Sequence, residues 1–309
     1  MPLLTFNELG SAVQKSAGSI REDLMDFIDN LSPDDTPLYN NLGQVGVSAG
    51  FVESLEDTLR ATATNAWVEG NAATDGSLAT PTRNATIIQC FQEHFHVSGR
   101  QLAVRHAGLS NMLSYQGVKA MKVLKNDIEL ALVAGSAVSG TTTVAPQTAG
   151  IFNKLSTCYT SSSGTTLTET VLNDILALAY SYKANLRELY SNMLVKRTIN
   201  SYNSGNTHNR EAASKIAGKL VDVYESEVGV IALFKERNIS QASSKTTQGN
   251  SWFAIDPDYF KVAILRAVKE DVLGKDGDRE RRMLVGELGL LVRSEKAGVG
   301  GDGYVSYIT

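Results

Sequence analysis

Apolar side chains recur at three- and four-residue spacing over residues 111–134, where Val118, Met121, Leu124, Ile128 and Ala131 form one stripe. Lys119, Lys122, Asn126 and Glu129 keep the same rhythm on the opposite face. With Ser110 as N-cap and Gly135 as C-cap, the pattern predicts an amphipathic helix of roughly 36 Å, well above the usual length in a globular domain. One apolar stripe and one wet face suit a beam lying across a sheet, not a fully buried rod. A second stripe, Leu172, Ile175, Ala179, Tyr182 and Leu186, predicts a helix over 168–187, and 209–217 reads as a short helix. A third, Ile20, Leu24, Phe27, Ile28 and Leu31, stops at Ser32-Pro33, and Asp34, Asp35 and Pro37 then force a turn.

Alternation marks 87–97 as a strand, with Phe91, Glu93, Phe95 and Val97 on one face and Cys90, Gln92, His94 and His96 on the other. Further strands are predicted over 193–196, 219–225, 228–235 and 251–256. A long hairpin follows, 259–268 against 282–293, with Gly274, Asp276, Gly277 and Asp278 in its tip. Between residues 51 and 80 the texture changes to Gly, Asn, Thr and other small residues, and Leu55, Leu59, Trp67 and Val68 are the few apolar anchors. This predicts a long two-stranded excursion with little core of its own. Such a hairpin is marginal in water and must rest on something else, with Trp67 beside Glu69-Gly70 as its natural anchor. Residues 136–166 form a Ser/Thr/Gly-rich connection broken by Ile151 and Phe152. Extended arm and strand thus precede the long helix, and a compact α+β body follows it.

Composition narrows the function. A chain of 309 residues can bury one large core or two modest ones. The formal net charge of −4 gives no basic field to attract nucleic acid. Over residues 1–50, Lys15 and Arg21 against Glu8, Glu22, Asp23, Asp26, Asp29, Asp34 and Asp35 leave a net charge of −5, which points to a partner's basic surface. Cys90 and Cys158 are too few for a disulfide framework and read as buried small hydrophobes in a reducing cytosol. Apolar runs fall short of a membrane span, and the N-terminus lacks the order of a signal peptide, so a soluble cytoplasmic product is expected.

Candidate chemistry is weak. His94 and His96 share a strand face, but Cys90 lies about 13 Å along the strand from His94, too far for one metal ion. Gly298, Gly300 and Gly303 match a dinucleotide pattern, yet too little chain follows for the helix such a site needs. Asp276, Asp278 and Glu280 resemble the start of a calcium loop without its glycine and terminal glutamate. There is no nucleophile elbow and no phosphate loop. The residues point to no enzyme, no metal and no cofactor, and a hydrolase or metal enzyme on an α+β domain is the rival class.

Motifs distributed along the chain carry a resemblance. They are Leu31-Ser-Pro-Asp-Asp-Thr-Pro37, Leu55-Glu-Asp-Thr-Leu59, Val68-Glu-Gly70, and Val97-Ser-Gly99 leading to Ala107-Gly108. Later come Leu124-Lys-Asn-Asp-Ile-Glu129, Val221-Asp-Val-Tyr-Glu-Ser226 with Gly229, Asp256-Pro-Asp-Tyr259, Gly277-Asp278 and Val285-Gly-Glu-Leu288. In this order and spacing the chain resembles the tailed-bacteriophage major capsid (major head) proteins of the Hong Kong 97 fold, within the family that opens on an LSPxDTP-like element. It departs from that pattern at Phe51, where a tryptophan is expected, and at Val228, where an aromatic is usual; both bear on local packing alone.

The resemblance implies an α+β fold with an N-arm (1–48), an extended E-loop (49–90), a peripheral domain (91–165) with its spine helix over 111–134, and an axial domain (166–254). The long hairpin (255–296) would return to the peripheral domain and residues 297–309 to the axial domain. It implies a structural, self-assembling protein whose hexamers and pentamers form an icosahedral head shell around double-stranded DNA, bound without sequence specificity. It further implies assembly in the host cytoplasm, residence in the virion, a portal protein as partner and no membrane. Because no large charged helical leader precedes the arm, a separate scaffolding protein is expected. Inter-subunit contacts would fall on Trp67, Glu69, Asp276, Asp278, Arg279, Glu280, Arg281 and Arg282, the last six as ion pairs between capsomers. Residues 51–100 contain no lysine, so a lysine–asparagine crosslink made from the E-loop, as one relative makes, is not expected. The alternative function is the shell of an encapsulin-like nanocompartment.

Overall fold

The computed structural model describes residues 36–57, 62–72, 76, 80–104, 111–162, 166–202, 222–241, 251–275, 277–302 and 304. The helices expected over 20–31 and 209–217, together with Leu59, Ser110 and Asp276, lie outside these residues.

In chain order the elements begin with helix α1 (Pro37–Asn41), strands β1 (Gly43–Gly46), β2 (Phe51–Glu56), β3 (Thr82–Ile87) and β4 (Gln89–Ser98), and helix α2 (Gly99–Ala103). The long helix α3 (Met112–Ala134), the short α4 (Ile151–Lys154), β5 (Tyr159–Ser161), α5 (Glu169–Ser181), β6 (Glu188–Ser191) and α6 (Met193–Tyr202) follow. The chain then adds β7 (Asp222–Ser226), β8 (Gly229–Lys235), β9 (Trp252–Ile255), β10 (Phe260–Val272), β11 (Arg279–Val292) and β12 (Gly298–Asp302). One sheet runs β1-β10-β11-β4, a second β5-β12-β9-β6-β8-β7, and β2 pairs with β3 alone.

Helix α3 is the predicted beam, with two differences. Its N-cap is Asn111, whose side chain accepts from the N–H groups of Leu113 (3.0 Å) and Ser114 (3.2 Å). Gly135 closes it as expected, though for reasons of space: a Cβ there would sit 2.5 Å from the Thr148 carbonyl oxygen. Leu124, Ile128 and Ala131 are buried as the stripe requires, but Val118 is 60% exposed. The contact line runs through Leu113, Gly117, Ala120 and Leu124, and a Cβ on Gly117 would already touch the Phe95 ring at 3.3 Å. Small residues let the helix press onto Phe91, Phe95 and Val97, the buried face of β4, and a count of large apolar residues alone misses them.

Glu129, assigned from the sequence to the wet face, is fully buried. Its carboxylate accepts from the backbone N–H groups of Leu38 (2.7 Å) and Tyr39 (2.8 Å), in the first turn of α1. Thr36, at the N-cap of that helix, makes no side-chain cap bond, so Glu129 supplies the acceptor the turn would otherwise lack. The contact continues through Asn41, whose amide donates to the Tyr190 hydroxyl (3.1 Å), which donates to Glu188 (2.8 Å). Burial first, then the Glu188 charge, pushes the Tyr190 hydroxyl far above its usual range, so it stays protonated. The chain joins two sheets: α3 lies on the first, and Glu188 and Tyr190 belong to β6 of the second.

The second sheet holds the largest buried rings. Phe253 stacks on Tyr190 (5.2 Å) and meets Phe152 of α4 edge-on (5.3 Å), so the Ile151-Phe152 break in the polar connection is a core plug. Helix α5 ends at Ser181, earlier than expected, because Lys183 takes a left-handed conformation (φ 66°). Tyr182 is therefore half-exposed, and Leu186 is buried in the run into β6. Residues 193–196, expected as a strand, start helix α6: the strand has already passed at Glu188–Ser191, and the Asn192 side chain accepts from the Val195 N–H at 2.9 Å. Strands β7, β8 and β9 fall close to their expected positions, and the final hairpin is longer than expected, reaching Val272 and Arg279.

Replacing Glu129 by Gln turns one acceptor oxygen into a donor facing a buried N–H. Glu129→Gln is expected to lower the unfolding free energy by about 2–4 kcal/mol in denaturant titration, whereas a loss under about 0.5 kcal/mol would contradict the capping role.

Candidate interaction surfaces

The β2–β3 hairpin has two unlike faces. Val52, Ser54 and Glu56 turn toward the body, while Phe51, Glu53 and Leu55 are exposed. Its inner face rests on the end of β11 through polar contacts. Thr86 donates to the Leu290 carbonyl (3.0 Å), Ser54 to that of Val292 (3.2 Å) and Asn84 to that of Arg293 (3.4 Å). Beyond β2, Trp67 and Val68 find no core among the described residues. Trp67 is 56% exposed and Val68 73%; Val68 opens, and Trp67 directly precedes, a turn closed by the Asn71 N–H bond to the Val68 carbonyl (3.2 Å) with Gly70 left-handed. Glu69, on the same turn, is exposed. Among the described residues Trp67 therefore packs into no core, and its indole N–H reaches the Asn71 carbonyl at 3.5 Å.

The far end of the β10–β11 hairpin is more self-contained than the sequence suggests. Arg279, Glu280, Arg281 and Arg282 lie on β11 itself, where the ladder with β4 continues to Ser98. The Arg282 guanidinium donates to Glu270 (2.6 Å) and Glu280 (3.0 Å), and these two carboxylates, Glu270 foremost, hold it firmly charged. The Asp278 carbonyl accepts from the Gly99 N–H at 3.0 Å, and its carboxyl lies where a Cβ on Gly99 would be. Arg279 and Arg281 are engaged as well. Of the charges expected to bridge neighbours, Glu280 and Arg282 are thus already paired within the chain.

Among the described residues no catalytic arrangement forms. His94 and His96 are exposed on β4, opposite Met283 and Arg281 in the ladder. Among the described residues no three His, Cys, Asp or Glu side chains gather as metal ligands. Cys158 is buried, and burial first, then the Glu295 charge, pushes its thiol up and keeps it unreactive; Cys90 is exposed, contrary to expectation. Gly298 and Gly300 lie within β12, where a Cβ would meet Leu155 and Phe260 (2.8 and 2.9 Å) or the Tyr159 ring (3.1 Å). Their spacing serves packing. Sequence reasoning missed Glu129 and Glu56, whose carboxylates act at a distance in sequence that no local pattern reports.

Residues 4–302 match the family model described as SU10 major capsid protein. The major capsid protein of Escherichia phage Phieco32 is 30% identical over 112 residues, 36% of this chain, and the match spans only 32% of that relative's length. Among solved structures, the capsid of the native GTA particle aligns with a TM-score of 0.66 at 11% identity, covering 95% of this chain and 99% of that one. The cyanophage A-1(L) capsid gives 0.64 at 12%, covering 92% and 97%, and the SrpI encapsulin of Synechococcus elongatus PCC 7942 gives 0.58 at 9%, covering 97% and 98%. At these identities the likeness is one of fold, and the fold is the α+β Hong Kong 97 type expected from the sequence.

Because the Arg282 pairs are part-exposed, Arg282→Ala is expected to cost the isolated subunit no more than about 1 kcal/mol and to narrow its salt dependence; a loss above about 3 kcal/mol in thermal unfolding would contradict this.

Proposed function

The chain belongs to the SU10 major capsid protein family, and from that premise we propose that it is the structural subunit of a phage head, closing with copies of itself into hexameric and pentameric capsomers of an icosahedral shell. The single observation that carries this reading is the β2–β3 hairpin with the segment between its strands, where Phe51, Leu55, Trp67 and Val68 are exposed and meet no core among the described residues. A monomeric globular protein gains nothing from such exposed apolar side chains on an extended segment. A shell subunit does, because the next copy covers it.

In this reading residues 1–48 are the N-arm under a neighbour, 49–90 the E-loop across the next subunit, and α3 with β10 and β11 the peripheral domain. The six-stranded sheet forms the axial domain at the capsomer centre. Trp67 and Glu69 make the E-loop contact. At the end of the β10–β11 hairpin Asp276, Asp278, Arg279 and Arg281 face other capsomers, while Arg282 with Glu280 stiffens the strand behind them. The shell resides in the virion and encloses double-stranded DNA without reading its sequence, in keeping with a formal charge of −4. A portal protein and a separate scaffolding protein complete the set of partners, and assembly takes place in the host cytoplasm.

Sedimentation of material from producing cells, with nuclease-protected nucleic acid assayed alongside, tests the reading. Closed shells holding double-stranded DNA are expected. Shells that hold enzymes and no DNA would favour a nanocompartment, and subunits that stay dispersed with their scaffold present would overturn the shell reading. Charge reversal at Arg281→Glu is expected to prevent closed shells while leaving the subunit folded, and normal particles from that variant would remove the hairpin end from the contact.

A further inference from the structure

A two-stranded ladder has no sheet to fix its direction, so something at its base must. The β2–β3 register puts Val52 opposite Thr86, Ser54 opposite Asn84 and Glu56 opposite Thr82, so these six side chains share one face. Along that face the contacts proceed in step. Nearest the body, Val52 packs with Val47 on Ile88, Ala263 and Leu291, and buried Thr86 bonds the Leu290 carbonyl. Ser54 and Asn84 then bond the carbonyls of Val292 and Arg293.

The outermost tie is Glu56. One carboxylate oxygen accepts from the Ser294 hydroxyl (2.8 Å), and the other from the Asn84 amide (2.9 Å). The Lys296 ammonium stands 4.0 Å away, and it also lies over the Tyr182 ring, 5.7 Å from its centroid, just past the end of α5. The Glu56 side chain is only 13% exposed. Ser294 and Lys296 belong to the short run between β11 and β12, where the chain passes from the four-stranded to the six-stranded sheet. That crossing is itself fixed, since the Ala297 carbonyl accepts from the Asp256 N–H (3.0 Å) and the Asp256 carboxylate pairs with Arg187 (3.1 Å).

We propose that Glu56 is a positioning residue that sets the direction in which the β2–β3 hairpin leaves the body, by latching it to Ser294 and Lys296 of the crossing between the two sheets. The hairpin's angle is thereby coupled to the relative placement of the sheets. When the Glu56 tie opens, the hairpin frees from its outer end inward, while Thr86 and the apolar contacts of Val52 hold its root. The consequence for shells rests on the proposed shell function: the latch holds every hairpin at the angle its neighbour requires.

Hydrogen exchange on the full-length subunit tests the latch directly, because a merely structural role would move the whole molecule. In Glu56→Ala, amide exchange at 54–56 and 82–84 is expected to speed up about tenfold, with the root at 86–88 and the melting temperature unchanged. Ser294→Ala should reproduce part of this effect, the double variant should add little to Glu56→Ala, and Glu56→Gln, which still accepts from Ser294, should fall between. Where wild type assembles closed shells, Glu56→Ala is expected to yield a broader distribution of diameters or open sheets. Unchanged exchange in Glu56→Ala, or a uniform rise with a lower melting temperature, would overturn the latch. Failure of the wild type to form shells would overturn the shell reading instead, leaving the exchange result to decide on Glu56.

Discussion

Glu129 sits within α3 without exposed surface, and a polar group so placed is costly unless it finds hydrogen-bond donors. The donors it takes are the first-turn N–H groups of α1, so the segment Thr36–Asn41 is threaded beneath the long helix at one fixed register. Leu38 is driven into the core beside it, and Asn41 is brought to Tyr190 on the second sheet. One side chain thus fixes three things: where the N-terminal chain enters, how α3 is rotated, and how far the helix lies from β6. Rotation matters most, because it sends Gly117 and Ala120 onto β4 and leaves Val118 outside.

Stability is unevenly distributed around that node. Tyr190, Phe253, Phe152 and Phe260 fill the body, and Arg187 with Asp256 braces the crossing between sheets. Away from it, the β2–β3 hairpin depends on side-chain contacts to the end of β11, each individually weak. Ordered body and lightly tied extension suit a subunit whose extension is completed by another copy. The hairpin is held by polar contacts, and its apolar residues meet no covering surface among the described residues.

The sequence made legible whatever depends on local periodicity or punctuation. The face of β4 that buries Phe91, Phe95 and Val97, the body of α3 and the β10–β11 pairing were all in the alternation of residues. It misled where a small residue or a single polar atom decides. Asn192 starts a helix where Met193, Leu194 and Val195 look like a strand, and Lys183 ends α5 by a backbone angle that no apolar stripe encodes. Glu129 followed the rhythm of the wet face, yet its partners lie some 90 residues earlier. The candidate contact residues were legible as charge and aromaticity, but the pairing of Arg282 with Glu270 depends on β10 running past its expected end at Val268.

The exposed apolar residues around β2 fit a chain that is completed by copies of itself. A near-atomic cryo-electron microscopy map of assembled particles tests it most directly, by locating Trp67 and the outer face of β2. Trp67, Val68 and Leu55 are expected to be buried against a neighbouring subunit, with Glu56 still joined to Ser294 in each copy. Hairpins standing free in solvent, or folded back onto their own subunit, would contradict it.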